Sequence, residues 1–269
     1  MTMNIYVDLT NQFNDGRLRA ILSSGQAVVL HRLAIMSKDG DWIVREEVEA
    51  LTWILQVLQS HGARYRFGAP LDARWLAGGW SSHFEFTKDN LRVRTDFVSR
   101  PPRIDEERLS TIWLEQENRR PPFVNRADLA ELKKTNREKD YAIIGELARK
   151  MEKREDRVRY GRSARDILDI YKDAPTLVLG ILLKRGIEES ALANIETLET
   201  ALDAERRRLM HTNERRLERY SAAAQRWAES WKEVEKETVG RSLMEAHKII
   251  RKRAAGVLPF TISTRKSRE

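Results

Sequence analysis

The chain has 269 residues, of which 41% are hydrophobic and 33% are charged, so it can bury the core of one large domain or of two ordinary ones. It contains no cysteine, which excludes disulfides, thiolate nucleophiles and Cys-ligated zinc and leaves hard cations such as Mg²⁺ as the natural metal. The formal net charge of +8 favours a nucleotide or nucleic-acid partner, although a solvated charged surface explains it equally well.

The sequence also predicts where in the cell the protein is found. No stretch reaches the roughly 18 consecutive apolar residues of a membrane span. The first residues, MTMNIYVDLTNQ, lack the basic-then-apolar form of a signal peptide. We therefore predict a cytoplasmic protein with no membrane partner.

The first hundred residues carry a mixture of helix and strand patterns. After a turn of small residues, the run GQAVVLHRLA predicts a short helix over 25–34. Apolar residues at spacings of three and four predict a longer amphipathic helix over 46–62. Alternation of apolar and polar residues predicts strands at GDWIVR and over 64–68, 83–87 and 91–98. This order predicts a small α+β (α/β) domain with a mixed sheet.

The second half has a different composition. Proline pairs at 101–102 and 121–122 end the first pattern, because they continue neither a helix nor a central strand. Helix formers then dominate, and irregular apolar spacing predicts a long helical arm rather than a regular coiled coil. We predict an α/β domain over 1–125 and a mostly α-helical C-terminal region over 126–269.

Two aspartates separated by one glycine stand at the start of the predicted strand GDWIV. Residues i and i+2 of a strand point to one face, so the carboxylates of Asp39 and Asp41 converge, as Mg²⁺ binding requires. Asp96 in LRVRTDFV is the candidate third carboxylate of a metal clamp. Its strand face also carries Arg92 and Arg94, which would orient a triphosphate. A solvated face with internal ion pairs is the alternative.

The glycine turn, the Asp39/Asp41 pair and the later Asp96 follow one another along the chain in the order that is typical of the nucleotidyltransferase fold superfamily, and the sequence resembles that superfamily. It includes DNA polymerase beta and minimal, antitoxin-type nucleotidyltransferases. The family's glycine turn is similar to ILSSGQAVVLHRL, its Asp-x-Asp strand to SKDGDWIV and its third acid to RVRTDFV. The basic segment that opens a later helix in antitoxin-type members is similar to KKTNREKDYAII, with Lys133, Arg137, Lys139 and Asp140. The resemblance covers about residues 15–150.

The resemblance implies Mg²⁺-dependent transfer of a nucleoside monophosphate from an NTP to an RNA or protein acceptor. Asp39, Asp41 and Asp96 would be both the catalytic and the metal-binding residues. The long helices would hold an acceptor, a second copy of the chain or a partner protein. Small and basic residues would bind the nucleotide: Ser24, Gly25, Lys38, Arg94, Arg137 and Lys139.

Two positions depart from the family pattern. The turn Ser23-Ser24-Gly25 lacks the usual first glycine, and Gly40 replaces the apolar residue usual between the two acids. Because a glycine inside a strand loses packing, we expect the acid pair to be held less rigidly. A catalytically degenerate, antitoxin-like interaction protein that acts through its C-terminal helices is therefore the alternative.

The segment GGWSSHFEF, 78–86, is a further candidate for ligand contact. Trp80 beside a glycine turn fits a base-stacking loop, and a hairpin turn covered by a partly buried tryptophan is the alternative. The five histidines are scattered, so no serine-histidine-acid arrangement can be argued from the sequence. No Walker-type GxxxxGK[ST] sequence occurs either, and both enzyme classes are set aside.

Overall fold

A computed structural model describes residues 4–262 of the protein, which include a five-stranded sheet. The strands are β1 (Ala20–Ser23), β2 (Asp39–Val44), β3 (Arg64–Tyr65), β4 (Ser82–Lys88) and β5 (Leu91–Val98). Their order in the sheet is β1-β2-β5-β4-β3. The neighbours β2 and β5 run parallel, and the other neighbouring pairs are antiparallel. This mixed sheet confirms the predicted α+β class.

Helices make up most of the remaining described chain. The long helix α11 has 29 residues. No helix within residues 4–262 is long and apolar enough to cross a membrane. The helices are α1 (Ile5–Phe13), α2 (Ser24–Leu30), α3 (Val48–Ser60), α4 (Ala73–Leu76), α5 (Glu106–Gln116), α6 (Arg126–Leu132), α7 (Glu138–Arg149), α8 (Arg154–Tyr160), α9 (Ala164–Asp173), α10 (Pro175–Lys184), α11 (Ile195–Ala223), α12 (Gln225–Thr238) and α13 (Leu243–Ala255), with a 3-10 helix at Glu189–Ala193.

The chain divides into two compact units. The first contains the sheet and is formed by the segment ending at Val29, by Met36–Val124 and by the segment from Glu218 onward. The second is helical and is formed by Leu30–Ile35 and Asn125–Leu217. This division begins its helical segment at the predicted boundary. It differs from the predicted 126–269 region at the end, because α12 and α13 belong to the unit that contains the sheet.

One face of the sheet is the aromatic core of the first unit. Trp42 of β2 stacks on Phe97 of β5 with ring centroids 5.4 Å apart. Phe13 of α1 meets Trp42 edge-on at 5.3 Å. The indole Nε1 of Trp42 donates a hydrogen bond of 2.9 Å to Thr10 Oγ1. Because side chains alternate along a strand, this packing turns Asp41 and Asp96 to the opposite face.

Gly40 lies on this aromatic face, and its missing side chain is what the packing requires. A Cβ atom at position 40 would lie 2.4 Å from Cη2 of Trp42 and 2.5 Å from Cδ1 of Tyr6. The two rings therefore fill the space beside the glycine. The glycine therefore costs the strand no packing at this position, because it allows the two rings to approach closely; how rigidly the acid pair is held stays a prediction.

We expect Gly40→Ala to lower the free energy of unfolding of the first unit by about 1–3 kcal/mol, the usual cost of overpacking a core. All seven tryptophans lie in the first unit, so tryptophan fluorescence in a urea titration measures its unfolding. Gly256→Ala is the matched control: its Cβ would meet no atom closer than 3.8 Å, and its effect should stay within about 0.5 kcal/mol. Equal stability of the two variants would contradict the packing argument.

Helix α13 is joined to the sheet through a buried hydrogen bond. The hydroxyl of Tyr65 on β3 lies 2.7 Å from Nδ1 of His247 and accepts a hydrogen bond of 3.1 Å from the backbone N–H of Leu71. The hydroxyl therefore links His247 to the backbone of Leu71. Burial and, to a smaller extent, the positive charge of Arg251 lower the pKa of His247 to about 4.

This buried histidine predicts a pH-dependent stability of the first unit. In the unfolded chain the His247 pKa returns to about 6.5, so between pH 6.5 and 4 the unfolded state binds more protons and stability falls as pH falls. The loss should reach at most about 3 kcal/mol, at about 1.4 kcal/mol per pKa unit. Urea titrations across this range should show a flatter profile for His247→Gln. The exposed His211→Gln should retain the full slope, and a wild-type slope in His247→Gln would refute the assignment.

Candidate functional site

The polar face of the sheet carries the three predicted carboxylates on two adjacent strands. Asp39 and Asp41 lie on β2, and Asp96 lies on β5 directly opposite Asp41 in the parallel register. Neighbouring strands are about 4.8 Å apart, so the side chains of Asp41 and Asp96 start from adjacent positions of one face. The register thus places the three acids on one face of two adjacent strands, and their catalytic role stays a prediction.

Asp39 faces Arg94, its partner in the register of β2 and β5. The Oδ1 atom of Asp39 lies 3.8 Å from Nη1 of Arg94, which is beyond hydrogen-bond distance. This Oδ1 atom and the Nε atom of Arg94 are buried and have no hydrogen-bond partner. A carboxylate oxygen that no hydrogen bond occupies is a suitable ligand for a hard cation.

Asp96 is hydrogen-bonded to a histidine that sequence reasoning did not connect with it. Its Oδ1 atom lies 2.7 Å from Nδ1 of His83 and 3.5 Å from Nη1 of Arg66. The other ring nitrogen, Nε2 of His83, lies 2.8 Å from Oγ of Ser81. The structure therefore contains a serine-histidine-aspartate arrangement that could not be argued from the sequence. His83 lies opposite Asp96 in the register of β4 and β5, which a single sequence does not reveal.

Tyr6 of α1 is a second residue that the sequence did not point to. Its hydroxyl donates a hydrogen bond of 2.6 Å to the backbone carbonyl of Lys38, just before the acid pair, while the Lys38 side chain is exposed. Burial raises the pKa of Tyr6, and the negative charges of Asp39 and Asp41 raise it as well. The neutral phenol of Tyr6 therefore binds the backbone of Lys38, the residue directly before β2. Helix α1 itself was not expected, because IYVDLTNQF is rich in residues that disfavour helices.

The remaining polar face is an ion-paired cluster around Glu85. This side chain is only 8% exposed and lies 2.7 Å from Nη2 of Arg64 and 2.8 Å from Nε of Arg92. Burial opposes ionisation of Glu85, but the hydrogen bonds from Arg92 and Arg64 outweigh it and lower the Glu85 pKa. Arg92 is thus bound within the sheet, as the ion-pair alternative predicted.

The turn of small residues lies directly beside the acid strand. Ser23 pairs with Asp41 in the antiparallel register of β1 and β2, and its Oγ donates a hydrogen bond of 3.1 Å to the Asp41 carbonyl. Ser24 has a left-handed backbone, with φ of 49°. A Cβ atom at Gly25 would lie 2.2 Å from Oγ of Ser37, so only glycine fits there without displacing that side chain.

Trp80, proposed above as a base-stacking residue, is a packing residue. It is buried, its Nε1 donates a hydrogen bond of 2.9 Å to the Pro259 carbonyl, and its ring meets Tyr220 edge-on at 4.9 Å. The hairpin-turn alternative is therefore the one observed.

The basic segment with Arg137 and Lys139 lies in the helical unit, where it surrounds a buried acid. Asp140 is 1% exposed and lies 3.1 Å from Nζ of Lys133, itself 6% exposed. It also accepts hydrogen bonds of 2.6 Å from Thr135 and 2.9 Å from Nε of Arg137. Burial opposes ionisation of Asp140, but Thr135 and the two cations outweigh it and lower the Asp140 pKa. Lys139 is exposed.

The carboxylates on the sheet fit a magnesium ion by their chemistry. Within residues 4–262, no three His, Asp or Glu side chains are arranged to hold a metal together. Mg²⁺ keeps several water ligands and needs only one or two carboxylates from the protein. Asp39, with its unoccupied Oδ1, and Asp41 on the same strand face meet that requirement.

The chain matches no protein-family model and no curated protein. Two solved structures are similar to it. A proposed nucleotidyltransferase from Helicobacter pylori is 14% identical with a TM-score of 0.39, over 78% of this chain and 96% of that one. The JHP933 protein from Helicobacter pylori is 14% identical with a TM-score of 0.38, over 80% and 94%. Similarities of this size carry no functional argument.

Measurements of protein stability can test whether the basic segment 133–140 is held by the buried ion pair of Lys133 and Asp140. Asp140→Ala leaves the buried ammonium of Lys133 without its counter-charge and should destabilise the helical unit by about 3–5 kcal/mol. Far-UV circular dichroism during urea unfolding measures this loss. Lys139→Ala, at an exposed neighbouring position, should change stability by no more than about 0.5 kcal/mol. A stable Asp140→Ala variant would show that the segment is not held by this ion pair.

Proposed function

We propose that the protein is a Mg²⁺-dependent nucleotidyltransferase that transfers a nucleoside monophosphate from an NTP to an RNA or protein acceptor. The observation that carries the proposal is the register of β2 and β5, in which Asp41 lies opposite Asp96 and Asp39 shares the face of Asp41. Acids on adjacent parallel strands can share a divalent cation, and the motifs around them are those that resemble nucleotidyltransferases.

Each residue has a distinct task in this proposal. Asp39 and Asp41 would hold Mg²⁺, together with Asp96 through Oδ2, because Oδ1 of Asp96 is the atom that contacts His83 and Arg66. Bound Mg²⁺ would supply Lewis-acid stabilisation of the charge on the transferred phosphoryl group. The nucleotide phosphates would be contacted by two small residues of the turn and by basic side chains: Ser24, Gly25, Lys38 and Arg94, with Arg137 and Lys139 as further candidates.

The acceptor is proposed from charge and helix content. The net charge of +8 favours a polyanion such as RNA, and the long helix α11 offers a surface to a protein acceptor, a second copy or a partner. A cytoplasmic location fits NTP as the substrate.

A non-catalytic interaction protein is the second candidate. It is favoured by the lack, within residues 4–262, of three side chains already arranged around a metal position. In that case the polar face would be only an ion-paired surface, and the C-terminal helices would carry the function.

The two candidates differ in what Mg²⁺ does to nucleotide binding. We expect Mg²⁺-dependent binding of NTP and transfer of α-phosphate label to RNA or protein. The double variant Asp39→Asn/Asp41→Asn should lose transfer by on the order of 10²–10³-fold or more, because the carboxylates that would hold the transition-state-stabilising Mg²⁺ are removed. Asp15→Asn, at an exposed aspartate, is the matched control and should behave as wild type. Undiminished transfer by the double variant would overturn the proposed function.

A further inference from the structure

Ser81, His83 and Asp96 form a hydrogen-bonded chain whose donors and acceptors have a fixed direction. The Asp96 carboxylate can only accept, so Nδ1 of His83, 2.7 Å away, must carry a proton and donate it. In a neutral imidazole the other nitrogen, Nε2, is then an acceptor. The Ser81 hydroxyl, 2.8 Å from Nε2, therefore donates its proton to His83. This is the arrangement in which a serine oxygen is activated as a nucleophile.

The backbone of Ser81 and His83 is hydrogen-bonded to the neighbouring segment 66–69. The N–H of Arg66 donates to the carbonyl of His83 at 2.8 Å, and the N–H of Ala69 donates to the carbonyl of Ser81 at 3.0 Å. A Cβ atom at Gly68 would lie 2.5 Å from Cδ2 of His83, so the glycine makes room for the imidazole. Both the serine and the ring are thus fixed in place before any substrate binds.

The serine is accessible and lies near the proposed metal position. The side chains of His83 and Asp96 are 26% and 25% exposed, and Ser81 is half-buried. Asp96 lies opposite Asp41 in the sheet, so the same carboxylate belongs both to the acid group and to the serine-histidine chain. Ser82, the residue after Ser81, is by contrast fully buried.

We propose that Ser81 is itself an acceptor, so that the protein nucleotidylates its own Ser81 with an NTP. This inference rests on the proposed function and names an acceptor for it. Oγ of Ser81 attacks the α-phosphorus and forms a phosphodiester bond, while the bond from the α-phosphorus to the bridging oxygen of the β-phosphate breaks and pyrophosphate leaves. The serine proton passes to Nε2 of His83. Asp96 positions the imidazole and stabilises the imidazolium through Nδ1.

The test uses the full chain, α-labelled ATP, GTP, CTP and UTP in turn, and Mg²⁺. Intact-protein mass spectrometry should show the addition of one nucleoside monophosphate, and peptide mapping should locate it at Ser81. Ser81→Ala should take up no label, and His83→Gln should be labelled on the order of 10²–10⁴-fold more slowly because the proton acceptor is lost. Ser110→Ala, an exposed serine on α5, is the matched control and should be labelled like wild type.

Separate measurements of binding and of pyrophosphate release distinguish the two proposals. Ser81→Ala should still bind Mg-NTP and keep the wild-type melting profile, and Ser81→Thr should restore part of the labelling. Self-modification is refuted if Ser81→Ala is labelled like wild type or if the label maps to another residue. It is also refuted if wild type transfers the nucleoside monophosphate to an added acceptor, with release of pyrophosphate, and carries no adduct on Ser81. In each of these cases the proposed function stands. If wild type binds no Mg-NTP, the proposed function fails, and self-modification fails with it.

Discussion

The pairing of β2 with β5 is the interaction on which both the core and the candidate site depend. It is the one parallel pairing in the described sheet, and it sets Asp41 opposite Asp96. A slip of one residue would exchange the two faces of β2 and put its aspartates into the core. The same register extends into β1 and β4 and produces one polar row across four strands: Ser23, Asp41, Asp96 and His83.

The packed rings on the aromatic face fix the register of β2 and β5. The stacked rings of Trp42 and Phe97 lie on the two paired strands, so a slip would separate them. Tyr6 packs against the glycine between the acids and donates a hydrogen bond to the carbonyl of Lys38. Helix α1 is thereby bound to the strand that carries the carboxylates. Gly40 is the residue that permits this contact, and so the glycine between the two acids is explained by the local packing.

The sequence predicted those features that depend on neighbours along the chain. Period-two alternation located β5 at 91–98 and put Asp96 on its polar face, and i, i+2 spacing put Asp39 and Asp41 together. The contact of His83 with Asp96 depends on register between strands, which alternation does not encode. The same limit applies to the basic segment: its charges were visible, but the burial of Asp140 with Lys133 depends on tertiary packing. Likewise, the composition of the second half predicted helices there without showing that α12 and α13 belong with the sheet.

The charges on the polar face indicate how the site would accept a charged substrate. Arg92 and Arg64 are bound to Glu85, whereas Arg66 and Arg94 are 3.5 Å and 3.8 Å from the carboxylates of Asp96 and Asp39. These two contacts are too long to be strong hydrogen bonds. Under the proposed function, a divalent cation on the acids would take over their charge balance, and the two arginines would then pair with the phosphates that arrive with it. Such an exchange keeps every buried charge compensated, which is the condition for binding an ion and a polyanion on a half-buried sheet face.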